Sequence, residues 1–342
     1  MAKLSIALFE ILEEEKKYFK EKLKGQKLTF FEEPIQNIHV SKLKNFDIFS
    51  VFIYSKVSEF ILTKCPNIKA IITRSTGFDH IDIKYCIKNN IQISNVPFYG
   101  ENTVAEHGFA LLLNLSRNIH KSYVRCLNKD YSIKGLRGFD LRGKTLGVIG
   151  VGHIGLHLIR MAKGFSMNVK AFDTHKNDFL SEVLDFQYEE LDEILKTSDI
   201  ISLHMPFNKN TKHFINKERI KMMKKGVIII NTARGGLIDT KALYFGLKNG
   251  QIGGCGLDVI EGEEFIMHED ELLKDGNVNR EKLQDLFLDK EILEMNNVIF
   301  TPHNAFNSEE AIKRIQDTAI ENILSFIEKK NLKNLIPNFF KN

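Results

Sequence analysis

Gly150-Val151-Gly152-His153-Ile154-Gly155 is the stretch of sequence that decides the fold. It has the pattern Gly-x-Gly-x-x-Gly and lies between a predicted strand, 145–149, and a predicted helix, 154–165. A second predicted strand follows and ends at Asp173, close to the spacing of roughly 20 residues expected for the acidic residue of such a unit. The glycine pattern alone is weak evidence. Strand, glycine loop, helix, strand and acidic residue in this order are typical of a Rossmann dinucleotide-binding unit.

The three glycines have separate roles in a unit of this kind. Gly150 permits the tight turn, Gly152 lets a pyrophosphate approach the backbone, and Gly155 lets the helix pack closely on the strand. The helix N-terminus offers N–H groups to the phosphates. We expect Asp173 to accept hydrogen bonds from the adenosine ribose, and its charge disfavours the extra phosphate of NADP. The sequence therefore predicts an enzyme that binds NAD.

Composition bounds the class of protein. The 342 residues are long for one domain and sufficient for two. A net charge of +4 is too small a surplus for a nucleic-acid-binding surface, so no nucleic-acid partner is expected. The four cysteines have neither disulfide nor metal-ligand spacing, and we expect no metal site. Neither a secretory segment nor a membrane span is indicated, which predicts a cytoplasmic protein without a membrane partner.

Short β-rich runs alternate with helical runs along both parts of the chain, a pattern that predicts parallel sheets. We predict an α/β fold of two doubly wound parallel-sheet domains. A Rossmann NAD-binding domain, 102–303, is inserted into a flavodoxin-like substrate domain formed by 1–101 and 304–342. The predicted strands are 4–9, 27–31, 47–53, 68–73, 91–96, 145–149, 169–173, 200–204, 227–231, 254–259 and 298–301, and two of the helices between them are 11–24 and 81–89.

Three further segments have interpretable patterns. Thr103-Val104-Ala105-Glu106 has the pattern of a capping box, which predicts the start of a long helix, 103–127, between the domains. The surplus apolar surface of this helix favours a homodimer. An amphipathic helix, 309–329, is expected to pack on the first domain. The segment 264–294 is rich in charge and Leu, and is interpreted as a surface excursion that carries a helix.

Side chains that could take part in catalysis follow three predicted strands of the second domain. Ligands of open α/β sheets bind at the carboxyl ends of the strands, where Arg234, Glu263 and His303 are found. Each alone is explained better by an ordinary role, as a surface cation, a solvated acid or a structural histidine. Together they can bind a carboxylate, exchange the proton of a hydroxyl group and hold an imidazole in one tautomer. The set suits the chemistry of 2-hydroxy acids.

Several further motifs accompany the glycine loop. They are Arg74-Ser75-Thr76-Gly77-Phe78-Asp79, Asn95-Val96-Pro97, Val104-Ala105-Glu106-His107, His204-Met205-Pro206, Asn231-Thr232-Ala233-Arg234-Gly235, Leu257-Asp258-Val259 with Glu263, and Thr301-Pro302-His303-Asn304-Ala305. Through these motifs the chain resembles, over nearly its whole length, the D-isomer-specific 2-hydroxy acid dehydrogenases. Within that family it is most similar to the D-lactate dehydrogenase branch, through Val51-Phe52-Ile53-Tyr54, Pro97-Phe98-Tyr99, Glu261-Gly262-Glu263 and His303-Asn304-Ala305-Phe306.

The resemblance implies roles for individual residues. Arg234 would bind the substrate carboxylate, His303 would act as acid and base, and Glu263 would pair with His303. The implied substrate contacts are Tyr54, Thr76, Gly77, Tyr99, Arg234 and Phe306, with Thr76 and Gly77 acting through backbone amides. The implied cofactor contacts are Gly150, Gly152, His153, Ile154, Gly155, Asp173, Met205, Pro206, Thr211, Thr232, Ala233, Arg234 and Asp258, the last near the nicotinamide end.

The expected reaction is NAD-dependent reduction of a small 2-oxo acid to the D-2-hydroxy acid, with pyruvate to D-lactate as the first candidate. A larger substrate of the 2-hydroxyisocaproate type is the alternative, since Asn307, Ser308 and Met205 differ from the residues commoner in the D-lactate branch. The volume of the pocket at Tyr54, Tyr99 and Phe306 decides between the two substrates. An alternative of another class is an NAD-sensing, corepressor-like binding protein on the same fold. It predicts NADH binding without turnover.

Overall fold

The computed structural model describes residues 3–263, 280–329 and 331–336, and for 280–285 and 329 the backbone alone. The chain divides into two compact units. The first unit comprises Met1–Tyr99 and Ser308–Asn342, and the second unit comprises Gly100–Asn307. The predicted domain boundaries, 101/102 and 303/304, lie two and four residues from these divisions. Each unit contains its own sheet.

The first unit contains a five-stranded sheet. Its elements are β1 Ser5–Leu8, α1 Glu13–Lys22, β2 Lys27–Phe30, 3₁₀ turns Ile35–Asn37 and Val40–Lys42, β3 Ile48–Val51, α2 Glu59–Leu62, β4 Ala70–Thr73, α3 Ile83–Lys88 and β5 Gln92–Ser94. The strands pair in parallel in the order β2-β1-β3-β4-β5, which is the order of flavodoxin-like sheets. The central strands β3 and β4 are buried along their whole length, as expected where helices cover both faces.

The second unit begins with a helical pair that the sequence analysis placed wrongly. The helix α4, Glu101–Arg117, begins after Gly100, so Thr103 lies inside the helix rather than at its N-cap. Glu106 accepts from the amide of Asn102, which means that the predicted capping box does not form. Asn118 has left-handed backbone, φ +51°, and separates α4 from a second helix, α5, Ile119–Leu127. Asn adopts this conformation more readily than most residues.

The rest of the second unit contains a seven-stranded sheet. Its elements are β6 Thr145–Ile149, α6 His153–Gly164, β7 Asn168–Phe172, α7 Asp178–Leu184, β8 Gln187–Tyr188, α8 Leu191–Thr197, β9 Ile200–Leu203, α9 Lys217–Met222, β10 Val227–Asn231, a 3₁₀ turn Gly235–Leu237, α10 Thr240–Lys248, β11 Ile252–Leu257, α11 Arg280–Leu293 and β12 Val298–Phe300. The strands lie in the order β12-β11-β10-β9-β6-β7-β8, and every pair is parallel. The strand order reverses its direction across the sheet beside β6, which creates the switch point of a Rossmann fold. The two-residue edge strand β8 was not predicted.

The last helix, α12, spans Glu309–Lys329 and matches the predicted range. Its apolar residues join a buried cluster with residues of β1 and α1, so the predicted packing on the first domain is confirmed. Of the predicted excursion 264–294, the part that forms α11 is helical, and 264–279 lies outside the described residues. The fold class, two parallel-sheet α/β domains, is confirmed.

Among the residues that the structure describes, no helix combines the length and the apolar character that a membrane span requires. The same residues contain no group of three or more His, Cys, Asp or Glu side chains arranged to hold a metal ion.

Candidate active site

The glycine loop follows β6 and leads into α6, with Gly152 as the N-cap residue. Gly150 has φ +96°, and a Cβ atom at this position would lie 2.6 Å from the carbonyl carbon of His204. A Cβ atom at Gly155 would lie 2.3 Å from the carbonyl oxygen of Gly150. Both contacts involve backbone atoms that cannot easily move aside. Close backbone packing therefore requires glycine at both positions.

Gly152 is different, because a Cβ atom there would meet no atom within 4 Å. The packing of the protein itself does not require glycine at this position. The open space lies at the N-terminus of α6, where the first helical N–H groups have no acceptor within the helix. Space for an anion beside N–H donors is what a pyrophosphate needs. The residues present thus fit a bound dinucleotide.

Asp173 follows β7 and holds the glycine loop to the end of that strand. One carboxylate oxygen accepts from the N–H of Val151 at 2.6 Å, and the other accepts from the N–H of His175 at 2.8 Å. The acidic group therefore lies beside the glycine loop, where a Rossmann unit carries its ribose-binding acid. Lys176 forms an ion pair with Glu190 at 3.5 Å and lies on the surface.

The loop after β9 carries several predicted cofactor contacts. The Thr211 hydroxyl accepts from the N–H of Asn208 at 2.7 Å and donates to the carbonyl oxygen of Pro206 at 2.8 Å, which closes the loop. At its start, His204 Nε2 lies 2.8 Å from the Ser202 hydroxyl. Burial lowers the pKa of His204 to about 4, because desolvation penalises the charged imidazole. His204 is therefore neutral at physiological pH.

The turn after β10 is organised by Asn231, which is completely buried. Its side chain accepts from the N–H of Ala233 at 3.0 Å and donates to the carbonyl oxygen of Arg234 at 3.0 Å. The half-buried Arg234 donates to the carbonyl oxygen of Ala233 at 2.7 Å. Thr232 is buried, and its hydroxyl lies 3.8 Å from a Cβ atom built at Gly108 on α4. Asn231 belongs to a motif that carries the family resemblance, and no role was predicted for it.

Glu263 and His303 are brought together within the second unit. The Glu263 Oε1 atom lies 2.7 Å from His303 Nδ1, and the two side chains are 18% and 17% exposed. Glu263 Oε2 also accepts from the N–H of Ile260 at 3.3 Å. An imidazole whose Nδ1–H donates to a carboxylate keeps Nε2 for proton exchange. The pair is therefore arranged to act as a general acid and base.

Asp258 supports the loop that carries His303. Its carboxylate is 1% exposed and accepts from the Thr301 hydroxyl at 2.5 Å and from the N–H groups of Asn304 at 3.0 Å and Ala305 at 2.9 Å. His107 Nε2 on α4 lies 2.9 Å from the Thr301 hydroxyl. Asp258 thus binds a hydroxyl and two backbone amides of the protein itself, and its predicted position near the nicotinamide stays a prediction. The position of Asp258, directly after the buried strand β11, is the sequence feature that could have indicated its structural role.

Glu10 lies at the carboxyl edge of the first unit's sheet and was missed by the sequence analysis. It has φ +53° and accepts from the N–H groups of Phe52 and Tyr54, each at 2.9 Å, and from the Ser55 hydroxyl. Glu10 follows β1 and Tyr54 follows β3, so the carboxylate joins two adjacent strand ends. An acidic residue directly after a buried strand could have indicated this role.

The remaining predicted substrate residues lie at three places. Thr76 and Gly77 follow β4, and the Thr76 hydroxyl donates to the carbonyl oxygen of Val96 at 2.8 Å. The carbonyl oxygen of Tyr99 accepts from the Arg314 guanidinium. Phe306 belongs to the second unit, whereas the predicted boundary placed it in the substrate domain. The substrate contacts of these residues stay predictions.

The second unit contains both a Rossmann glycine loop and an imidazole that is paired with a carboxylate. This combination is typical of a dehydrogenase that uses a nicotinamide dinucleotide. The family model described as "D-isomer specific 2-hydroxyacid dehydrogenase, NAD binding domain" matches residues 109–305. The chain therefore belongs to the D-isomer specific 2-hydroxyacid dehydrogenases, and it is an NAD-dependent oxidoreductase. The family predicted from the motifs is confirmed.

Known relatives cover almost the whole chain. A 2-hydroxyacid dehydrogenase homolog of Haemophilus influenzae is 36% identical over 311 residues, which are 90% of this chain and 91% of the relative. The D-lactate dehydrogenase of Escherichia coli is 34% identical over 330 residues, 95% of this chain and 97% of the relative. A solved D-lactate dehydrogenase of Aquifex aeolicus, complexed with NAD and lactic acid, has a TM-score of 0.86 and 36% identity, with 96% of this chain and 99% of that chain covered.

Proposed function

We propose that this dehydrogenase reduces pyruvate to D-lactate. The observation that carries the proposal is the 2.7 Å contact between Glu263 and His303, in the same unit as the glycine loop. The lactic acid complex of the similar Aquifex aeolicus enzyme supports pyruvate and lactate as the substrate pair. When bound, NADH supplies the hydride that reduces the carbonyl carbon. The protein's part is to bind the 2-oxo acid and supply a proton.

His303 is the proton donor in this proposal. Protonated His303 gives the Nε2 proton to the carbonyl oxygen of the substrate, and the product hydroxyl is formed. Glu263 keeps Nδ1 engaged and stabilises the charged imidazole before the transfer. The guanidinium of Arg234 binds the substrate carboxylate, because its planar fork of N–H donors matches two carboxylate oxygens.

The experiment that tests the function is a steady-state screen of 2-oxo acids with NADH and NADPH. It compares kcat/KM for pyruvate and 4-methyl-2-oxopentanoate and determines the chirality of each product. We expect the highest value for pyruvate with NADH, and D-lactate as product. A higher value for the branched acid would favour the 2-hydroxyisocaproate type. NADH binding without turnover of any 2-oxo acid would favour the corepressor-like alternative.

The acid–base role has its own test. His303→Ala should lower kcat by about 10²- to 10⁴-fold, because that is the usual contribution of a positioned acid or base. NADH binding, measured by fluorescence, should be retained. Unchanged kcat in this variant would remove the central residue of the proposal.

We propose a homodimer in which a second copy covers α5. Its residues Ile119, Tyr123, Val124 and Leu127 are 52–65% exposed, and their spacing places them on one helical face. An apolar face of this kind marks an interaction surface. Light scattering should show a dimer, and the double variant Tyr123→Glu, Leu127→Lys should show a monomer. A monomeric parent protein would contradict the proposal.

A cytoplasmic location stays a prediction from the sequence.

A further inference from the structure

A second histidine–glutamate pair lies beside the first. His213 Nε2 is 2.9 Å from Oε1 and 2.8 Å from Oε2 of Glu261, so the imidazole faces both carboxylate oxygens. Glu261 is separated from Glu263 only by Gly262, which has φ +79°. The N–H of Glu263 donates to the carbonyl oxygen of Ile260 at 3.2 Å. The two glutamates thus occupy one tight turn and have different histidine partners.

His213 is itself fixed by its backbone. It has φ +50°, an unfavourable conformation for a residue with a side chain, and its N–H donates to the carbonyl oxygen of Gly236 at 2.8 Å. A Cβ atom at Gly235 would lie 2.1 Å from the carbonyl carbon of Ile260 and 2.4 Å from the N–H nitrogen of Glu261. The segment that follows Arg234 therefore packs directly on the turn, and His213 is anchored to that segment.

The contact between His213 and Glu261 also affects the position of Glu263. The two glutamates flank Gly262, and a rotation of the turn would move Glu263 away from His303. Within the turn, the N–H of Glu263 donates to the carbonyl oxygen of Ile260 and the N–H of Ile260 donates to Glu263 Oε2 at 3.3 Å, whereas His213 Nε2 contacts both carboxylate oxygens of Glu261. We propose that His213 is a positioning residue, which through Glu261 fixes the turn that directs Glu263 onto His303. The inference rests on the catalytic role proposed above for the Glu263–His303 pair.

The test compares His213→Ala, His213→Gln and Glu261→Gln with the parent enzyme. The assay uses NADH and pyruvate, or the 2-oxo acid with the highest kcat/KM. His213→Ala should lower kcat by about ten- to a hundredfold, the effect expected of a small misplacement of a catalytic group. KM and the Kd for NADH should change by less than about twofold, because the acid–base geometry and not binding is disturbed. His213→Gln should recover part of kcat, since its amide can donate one hydrogen bond to Glu261.

A double-mutant cycle separates positioning from a general structural effect. If His213 acts through Glu263, adding His213→Ala to Glu263→Gln should lower kcat no further. Fully additive losses, or a parent-like kcat for His213→Ala, would overturn the inference. His157→Ala serves as the matched control, because His157 is in the same unit and has a side-chain contact with Arg160 at 3.3 Å. Thermal unfolding of every variant shows whether it is folded, and Glu261→Gln tests the same contact with little change in shape.

The cycle also separates failure of the inference from failure of the proposed function. A Glu263→Gln variant with parent-like kcat would contradict the catalytic role of the pair. A strongly impaired Glu263→Gln together with a fully active His213→Ala would contradict only the positioning role of His213.

Discussion

The backbone N–H of His303 donates to the carbonyl oxygen of Asp258 at 2.9 Å, and His303 has φ +50°. A histidine in the left-handed region is unfavourable and persists only where its surroundings hold it. The buried carboxylate of Asp258 supplies much of that hold, since it accepts from the two N–H groups that follow His303 in the chain. The conformation of the proposed acid–base residue therefore depends on Asp258.

Asp258→Asn should destabilise the protein and lower its activity. The amide has only one accepting oxygen, so one of the buried donors now bonded to Asp258 would lose its acceptor. The expected loss in the free energy of unfolding is about 1–3 kcal/mol, measured by urea unfolding. A fall in kcat should accompany it, because the His303 loop is no longer fixed. A free energy of unfolding and a kcat equal to those of the parent protein would show that the His303 loop keeps its conformation without the Asp258 carboxylate.

The loop glycines should separate folding from cofactor binding. Gly155→Ser should lower the free energy of unfolding by about 1–3 kcal/mol, because its Cβ atom meets backbone 2.3 Å away. Gly152→Ser should keep or raise stability, since Ser is a favoured N-cap residue and its Cβ atom meets nothing within 4 Å. The Kd for NADH of Gly152→Ser should rise by about tenfold or more, a loss of about 1.4 kcal/mol.

These two serine variants control for each other in thermal unfolding and NADH titration. Tight NADH binding by a folded Gly152→Ser protein would mean that the space at this glycine is not the pyrophosphate site.

Arg234→Lys should impair substrate binding more than folding. Lysine keeps the charge but cannot reproduce the planar fork of N–H donors. Substrate binding should therefore lose up to about 1.5–3 kcal/mol that the charged hydrogen bonds contribute. We expect kcat/KM for pyruvate to fall by about ten- to a hundredfold, with the Kd for NADH nearly unchanged. The exposed Arg142→Lys is the matched control. Equal kcat/KM in both variants would indicate that Arg234 does not bind the carboxylate.

The sequence predicts repeating features better than features made by distant contacts. The amphipathic period of 309–329 gave the bounds of α12, because one continuous face packs on β1 and α1. The helix at Thr103 was placed two residues late, since a capping pattern also occurs inside helices and Gly100 was the actual N-cap residue. The position of Asp258 after a buried strand could have indicated a structural carboxylate, but its partners could not be predicted, because they are backbone groups more than 40 residues away and a sequence records no backbone geometry.

His204 should make the stability of the protein depend on pH below neutrality. Burial lowers the pKa of His204 to about 4, whereas an exposed histidine titrates near 6.5. Between these values the unfolded chain binds a proton that the folded protein does not, so stability falls as the pH falls. The loss is at most about 1.4 kcal/mol per pH unit, and it is smaller because His204 is only half-buried. His204→Gln removes this proton, and its free energy of unfolding, measured in urea at about pH 7 and about pH 5, should fall less than that of the parent protein. Parallel losses in the two proteins would show that His204 is not kept neutral by the fold.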